Sequence, residues 1–216
     1  MKYPTIRGRR GFPATLSLAV MVATLASCAG PPLKLYIMAA GAPFQTNAAQ
    51  TSAAQTSAAQ TSIAMSRNPI VVEIRRVDVP GYLDNQDILV RSGNTLKRSQ
   101  QGRLASRLSV EATGLLARRL AEAHPEALVT DQLQAQTPTY RLIVNVSVLD
   151  VTSDGTGELE ADWQIFARDE AQPERRGRTQ ISLAGSVSTD QDVVTLERRL
   201  LESLAGKIGV SLFAGA

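Results

Sequence analysis

The spacing of apolar residues changes its period several times after residue 100. Apolar and polar residues alternate over 140–151, 159–167 and 179–183, as in antiparallel strands that expose one face to water. The period is helical over 104–125, and again from Thr189 or Asp190, as N-cap, to Leu212. This region therefore predicts a helix, a three-stranded antiparallel meander and a second amphipathic helix.

Shorter runs rich in β-branched residues predict further strands on either side of the first helix. Ser92-Gly93-Asn94 separates two of them with the residues that a hairpin turn requires. These strands are predicted at 70–77, 88–91, 95–98 and 128–129. We therefore predict an α/β fold in which two amphipathic helices pack on a mixed, largely antiparallel sheet, within one globular domain over residues 70–213.

The first 27 residues are typical of a secretory signal peptide. Basic residues come first and an apolar run over 12–26 follows, which is too short and wrongly flanked to be a membrane-spanning helix. The basic residues are Lys2, Arg7, Arg9 and Arg10. We therefore predict that residues 1–27 are removed from the mature chain.

The end of this signal has the pattern of a lipobox, in which Leu25, Ala26 and Ser27 precede Cys28, the only cysteine of the chain. We predict diacylglycerol on the Cys28 thiol and an N-acyl chain on its new amino terminus, since two or more chains anchor a protein durably. The alternative is a buried cysteine in an ordinary apolar helix. Ala29 stands where lipoproteins retained in the inner membrane usually carry aspartate, which favours the periplasmic face of the outer membrane.

Low-complexity sequence separates this lipidated end from the domain. Residues 48–62 are three copies of Ala-Ala-Gln-Thr-Ser, without charge or an apolar stripe, so we interpret 39–69 as a flexible spacer rather than a binding repeat. The run 35–38 is a possible first strand. If it docks on the domain, the lipidated end and tether comprise only residues 28–34, roughly 20 Å at full stretch, and otherwise the tether extends to about residue 69.

Charge and cysteine content exclude two kinds of interaction. Loss of residues 1–27 removes four basic and no acidic residues, so the formal net charge falls from +3 to −1. A nearly neutral chain without clustered Lys and Arg gives no electrostatic basis for binding nucleic acid. With a single cysteine, no disulfide can form within the chain, and packing must stabilise the domain.

Catalytic motifs are missing from the sequence. It has no nucleophile elbow, phosphate-binding loop or H-E-x-x-H motif, so we expect no enzyme, no metal and no cofactor besides the lipid on Cys28. His124, the only histidine, stands at a helix end, where we expect it to cap carbonyl groups rather than bind metal. Glu158, Glu160 and Asp162 share one strand face, but a solvated surface accounts for them better than catalytic carboxylates.

One predicted turn carries a recognisable motif. Val79-Pro80-Gly81-Tyr82-Leu83-Asp84 is followed by Ile88-Leu89-Val90-Arg91 and, further on, by Arg103-Leu104-Ala105-Ser106-Arg107-Leu108. In these segments, and in the order of elements from about Leu35 to Leu212, the chain resembles the PqiC-like ABC-type transport auxiliary lipoproteins. That family has V-P-x-Y-L-D, I-V-x-R and, at a helix start, R-W-A-x-P-L. Leu104 and Arg107 replace its tryptophan and proline, so other residues must fill the space of the aromatic ring.

The resemblance implies a non-catalytic subunit of a transport system that contains an ATPase, a permease and an MCE-domain protein. Such a subunit docks the periplasmic MCE assembly to the outer membrane, as a possible homo-oligomer, and serves intermembrane lipid transport and envelope integrity. A second interpretation is another envelope-binding lipoprotein, either an activator of a cell-wall synthase or a subunit of a secretion pore.

The same turn is the candidate partner contact. An exposed tyrosine and leucine beside a Pro-Gly pair make a rigid amphipathic surface. The candidate contact residues are Val79, Pro80, Tyr82, Leu83, Asp84 and Arg91. The alternative is that Tyr82 and Leu83 are buried beneath the sheet and only fix the turn.

Overall fold

The computed structural model describes residues 32–38 and 70–213 of the chain. The strands in these ranges are β1 (Lys34–Tyr36), β2 (Ile70–Ile74), β3 (Asp87–Ser92), β4 (Thr95–Leu104), β5 (Ala127–Thr130), β6 (Tyr140–Val151), β7 (Thr156–Ala167) and β8 (Arg175–Ala184). The helices are α1 (Leu108–Ala123) and α2 (Asp190–Phe213). The predicted α/β class is confirmed, with the strands divided between two sheets.

The larger sheet has five strands in the order β5-β2-β6-β7-β8. β2 is parallel to β5 and β6, whereas β6, β7 and β8 form the predicted antiparallel meander. Alternate residues of β6 and β7, such as Leu142 and Leu159, are fully buried. They form one apolar core with the inward side chains of α1 and α2, such as Leu116 and Leu200.

Three strands form the smaller sheet, in the order β1-β4-β3. β3 and β4 are the predicted hairpin, and Gly93 in their turn has a positive φ of 59°. β1 pairs in parallel with the end of β4, where Tyr36 is aligned with Leu104. The Tyr36 carbonyl accepts the Ala105 N–H at 2.7 Å. The run that includes β1 is therefore docked on the domain.

Leu104 departs from the predicted elements. Its spacing predicted that the first helix begins there, but Leu104 is the last residue of β4, and α1 begins at Leu108. Leu104 is buried, and a single buried leucine fits a strand or a helix equally well. Parallel pairing with β1 extends β4 through Leu104, so the helix begins later in the sequence. No local pattern of residues encodes this pairing.

The two helices begin differently. Thr189, one of the two predicted caps, begins α2 with a reciprocal capping box. Its Oγ1 accepts the Asp192 N–H at 3.2 Å, and Asp192 Oδ2 accepts the Thr189 N–H at 3.0 Å. Arg107, the N-cap of α1, makes no side-chain hydrogen bond to the helix. The first turn of α1 therefore needs an acceptor from another part of the chain.

Trp163 packs against bare backbone within the meander. It is aligned with Gly177 on β8, and a Cβ at Gly177 would lie 2.2 Å from the indole Cζ2. Glycine is therefore required at this position by the close approach of the aromatic ring.

Candidate docking surface

The Pro-Gly-Tyr motif forms the corner that connects β2 to β3. The Leu83 and Asp84 N–H groups both donate to the Pro80 carbonyl, at 2.8 and 3.2 Å. The Asn85 side-chain amide donates to the Tyr82 carbonyl at 2.8 Å. Because Pro80 also has a fixed φ, the backbone is held on both sides of Tyr82.

The two central residues of this corner face opposite ways. Tyr82 is 47% exposed, whereas Leu83 is 6% exposed and belongs to the core. Val79 and Pro80 are half-buried. Of the two alternatives that the sequence left open, exposure applies to Tyr82 and burial to Leu83.

Asp84 supplies the acceptor that α1 lacks. Its Oδ1 accepts the N–H of Ser109, in the first turn of the helix, at 3.2 Å. Its Oδ2 lies 3.6 Å from Arg107 Nη1. Ser109, through its side chain and backbone N–H, lowers the pKa of Asp84 below its ordinary value of 3.8, and the Arg107 charge acts in the same direction. The carboxylate and the positive end of the helix stabilise each other, which joins the corner to α1.

Arg91 connects the two sheets. Its Nε and Nη2 donate to the two carboxylate oxygens of Asp150 at 2.8 and 3.0 Å, a bidentate pair between β3 and β6. The Arg91 carbonyl accepts the Ser153 N–H at 2.9 Å. Hydrogen bonding to Asp150 raises the pKa of Arg91. The Arg91 guanidinium therefore already has a partner within the domain.

Among the six candidate contact residues, Tyr82 alone is exposed. Sequence reasoning did not identify Ser109 or Asp150, the partners of Asp84 and Arg91. Asp150 has no local signal, because it is one polar residue among several in an alternating strand. Ser109 had no signal either, because the spacing predicted that the helix begins at Leu104, whereas its N-cap is Arg107.

A buried carboxylate holds β1 on the domain. Glu111 lies on α1 and is 5% exposed. Its Oε2 accepts the Met38 N–H at 3.0 Å, and its Oε1 accepts the Ser106 hydroxyl at 2.8 Å. Met38 itself is fully buried. The β1 segment is thus fixed at its far end as well as along β4.

Another buried carboxyl group, Glu197 of α2, lies where the two sheets meet. It is 8% exposed and lines a cavity of about 10 Å³, with Leu89 from the smaller sheet and Leu149 from the larger sheet. Asp87, Arg91 and Asp150 line the same cavity. Burial raises the pKa of Glu197 from 4.5 to about 8, so this carboxyl is protonated at neutral pH.

The ionisable residues that the sequence offers as candidates for catalysis lie apart from the corner. His124 ends α1, but its ring stacks on Phe213 at a centroid distance of 3.6 Å, and its Nδ1 is 3.2 Å from Glu126 Oε1. The outward face of β7 carries Glu158, Glu160 and Asp162, of which Glu158 is exposed and the others are half-buried. In the described ranges 32–38 and 70–213, no group of three or more His, Cys, Asp or Glu side chains could hold a metal ion.

The predicted lipidation site, comprising Cys28 and the lipobox residues Leu25, Ala26 and Ser27, lies outside the described residues. The same is true of nearly all of the predicted signal peptide, tether and spacer. Of the helices that the structure describes, neither combines the length and the apolar character needed to cross a bilayer.

Comparisons with known proteins agree with this architecture. One crystal structure of an uncharacterized protein is 16% identical and has a TM-score of 0.59, with coverage of 66% of this chain and 91% of that one. A crystal structure of a Xanthomonas campestris protein is 13% identical and has a TM-score of 0.53, with coverage of 68% and 85%. At such identities, the likeness concerns the fold alone. No curated protein matches the sequence.

A family comparison goes further than the fold. The sequence profile described as the ABC-type transport auxiliary lipoprotein component matches residues 50–209. This range contains the corner, its partners on α1 and β6, and nearly all of α2. Because the match spans well over half of the sequence, the chain belongs to the family of ABC-type transport auxiliary lipoproteins.

Proposed function

We propose that this protein is a non-catalytic, lipid-anchored subunit of an ABC-type transport system on the periplasmic face of the outer membrane. There it docks an MCE-domain assembly that moves lipid between the membranes and maintains envelope integrity. The family match over residues 50–209 is the observation that carries the accessory role. The lipobox supports the proposed membrane location. The resemblance of the corner motif to that of the family supports an MCE-domain protein as the partner.

The short distance between the anchor and the domain supports a position close to the membrane. Acyl chains on Cys28 place that residue at the bilayer surface. β1 begins at Lys34 and is paired with β4, so the connecting residues span at most about 20 Å. The domain is then held against the membrane, with its corner available to a partner that arrives from the periplasm.

Tyr82 is the side chain best suited to contact that partner. It is exposed on a backbone that is fixed by Pro80 and by hydrogen bonds on either side. Aromatic side chains with little freedom to lose on binding are common at the energetic centres of protein interfaces. Leu83, Asp84 and Arg91 support this surface indirectly, since each is engaged within the domain.

Co-purification tests this docking contact. Tyr82→Ser is expected to reduce the amount of MCE-domain protein and ATPase recovered with the lipoprotein from detergent-solubilised membranes, with an unchanged unfolding temperature. Leu133→Ser is the matched control, because Leu133 is an even more exposed apolar side chain outside the corner. Equal recovery with both variants contradicts docking through Tyr82. Recovery of a penicillin-binding protein or a secretion-pore subunit instead contradicts the transport role.

A separate experiment tests the anchor. Cys28→Ala is expected to leave the precursor uncleaved and absent from the outer-membrane fraction, because the variant has no thiol to receive diacylglycerol. Mass spectrometry of the unsubstituted protein should find both the diacylglyceryl and the N-acyl chains on Cys28. A normally processed, membrane-bound Cys28→Ala variant contradicts the proposal.

A further inference from the structure

The outward face of β1 and its flanking residues forms an exposed apolar strip. Leu33, Leu35 and Ile37 are 58, 63 and 56% exposed. Tyr36 and Met38, which alternate with them, are half-buried and fully buried. Since side chains alternate along an extended chain, the three exposed residues point away from the core on one side. An exposed apolar strip of this kind commonly marks a contact with another protein or with a membrane.

The strip is held in this orientation by specific contacts. β1 pairs with β4 in a register that aligns Leu35 with Arg103, and the Met38 N–H donates to the buried Glu111 carboxylate at 3.0 Å. A shift of one residue would turn Leu35 inward and Tyr36 outward. Burial of Tyr36 and Met38 therefore fixes the register of the strand. That register directs the apolar side chains of the strip outward.

Basic side chains lie beside the strip. Arg103 is next to Leu35 across the ladder, and the exposed Arg98 precedes Arg103 on the same strand. Both are close to a single carboxylate, that of Asp87, at 3.2 and 3.7 Å. An apolar strip with a basic border is suited to a phospholipid surface, where long cationic side chains reach the headgroups.

The position of the strip in the chain identifies its occupant. Four residues lie between Cys28 and Leu33, which limits the distance between the Cα atoms of these two residues to about 18 Å. A headgroup layer is itself roughly 5–8 Å thick, so a strip on this tether is within reach of the bilayer. We propose that Leu33, Leu35 and Ile37 insert into the headgroup region of the phospholipid bilayer and fix the orientation of the domain on the membrane. This inference rests on the proposed lipidation of Cys28.

Site-specific fluorescence can test this contact. The only native cysteine is Cys28, whose thiol is acylated in the anchored protein, so an introduced cysteine is labelled alone. Leu35→Cys and Lys34→Cys variants of the acylated protein would carry an environment-sensitive fluorophore in vesicles of phosphatidylethanolamine and phosphatidylglycerol. Lys34 is the matched control, because it is adjacent on the same strand and directed to the other side. Leu133→Cys is a second control, remote in sequence from the anchor.

Quenching by lipids that carry a spin label near the headgroup is the readout. We expect several-fold stronger quenching, and a blue-shifted emission, for the probe at Leu35 than for those at Lys34 and Leu133. Equally weak quenching at all three positions in acylated, vesicle-bound protein overturns the inference and leaves the anchor intact. A Leu35 probe that is shielded from water but not quenched by lipid also overturns it, because a second copy or another protein then covers the strip. If mass spectrometry finds Cys28 without acyl chains, the proposed lipidation is contradicted, and so is the inference that rests on it.

Discussion

The larger and the smaller sheet are held in place by different interactions. The larger sheet buries a continuous apolar face against both helices. Each strand of the smaller sheet, or the segment that directly follows it, also donates a hydrogen bond to a distant carboxyl group, through the pairs Arg91–Asp150, Ser99–Asp190 and Met38–Glu111. Apolar burial is strong but has no direction, whereas hydrogen bonds are weaker and directional. The larger sheet therefore supplies most of the stability, and the smaller sheet sets the orientation of the corner and of β1.

The largest expected change in stability comes from a substitution that disrupts the packing of the larger sheet. Leu142→Ala should lower the free energy of unfolding by about 2–5 kcal/mol, because it leaves a cavity at a fully buried position of β6. The neighbouring Ile143→Ala, on the exposed face, should change it by less than about 1 kcal/mol. Urea denaturation measures both, and a similar loss from the two substitutions would contradict the assignment of the buried face.

The junction between the sheets should respond to pH through Glu197. Its pKa is raised from 4.5 to about 8 by burial, so the folded state holds a proton that the unfolded state releases in this window. The free energy of unfolding should therefore fall as pH rises, by about 2 kcal/mol between pH 6 and pH 8, and level off above that. Glu197→Gln should remove this slope. Unfolding curves with the same pH dependence in both proteins would show that Glu197 is solvated.

Separating the two sheets at their ion pair should cost less. Arg91→Ala should lower the free energy of unfolding, because it leaves Asp150 without its bidentate partner. Arg91→Lys should recover only part of this loss, since an ammonium group cannot bind both oxygens in the same geometry. Arg98→Ala is the control, because that side chain is largely exposed and 3.7 Å from Asp87. Equal stability of all three variants would contradict a linking role for Arg91.

Removing the acceptor that caps α1 should have a smaller effect. Asp84→Ala should cost about 1 kcal/mol, the usual value of a lost helix cap, whereas Asp84→Asn retains an acceptor and should cost less. The pKa of Asp84 is lowered from 3.8, so its contribution is complete above that value and is lost as pH falls through the lower pKa of the folded state. Thermal unfolding of the three proteins at neutral and strongly acidic pH measures this, and a constant difference would contradict it.

The smallest expected effect lies outside both sheets. Deletion of residues 48–62 removes about half of the segment between β1 and β2. If the segment is a flexible loop, the shorter closure should raise the free energy of unfolding by about 0.6 kcal/mol at most. A large fall in the unfolding temperature would show instead that the repeat packs on the domain.

The same contrast explains which parts of the fold could be predicted. Alternation over 140–151 predicted β6 with its observed bounds, because each buried position along an antiparallel strand contributes to a local pattern. Leu104 was assigned to a helix because its burial fits either period, and the parallel pairing with Tyr36 that decides the matter is not local. Short strands held by distant partners therefore give weaker signals than long strands that face a core.

The candidate site was predictable in its position but not in its contacts. The Pro-Gly-Tyr motif marked the corner, yet sequence could not show that Leu83 is buried while Tyr82 is exposed. Likewise, Arg91 resembles a free surface cation in sequence, and its partner is 59 residues further along the chain. Such ion pairs depend on how the two sheets pack against each other. The spacing of apolar residues along the chain contains no information about that packing.

The parallel pairing of β1 with β4 also determines how the domain responds to mechanical load. The proposed lipid anchor at Cys28 precedes the amino-terminal end of β1 in the sequence, so a pull from the membrane would act along the strand. The hydrogen bonds to β4 then bear the force together, in shear, instead of opening one after another. The bond between Met38 and Glu111 lies beyond them and resists the same movement. This arrangement suits the proposed role of a lipoprotein that holds a transport assembly at a membrane, because it would withstand tension at the attachment.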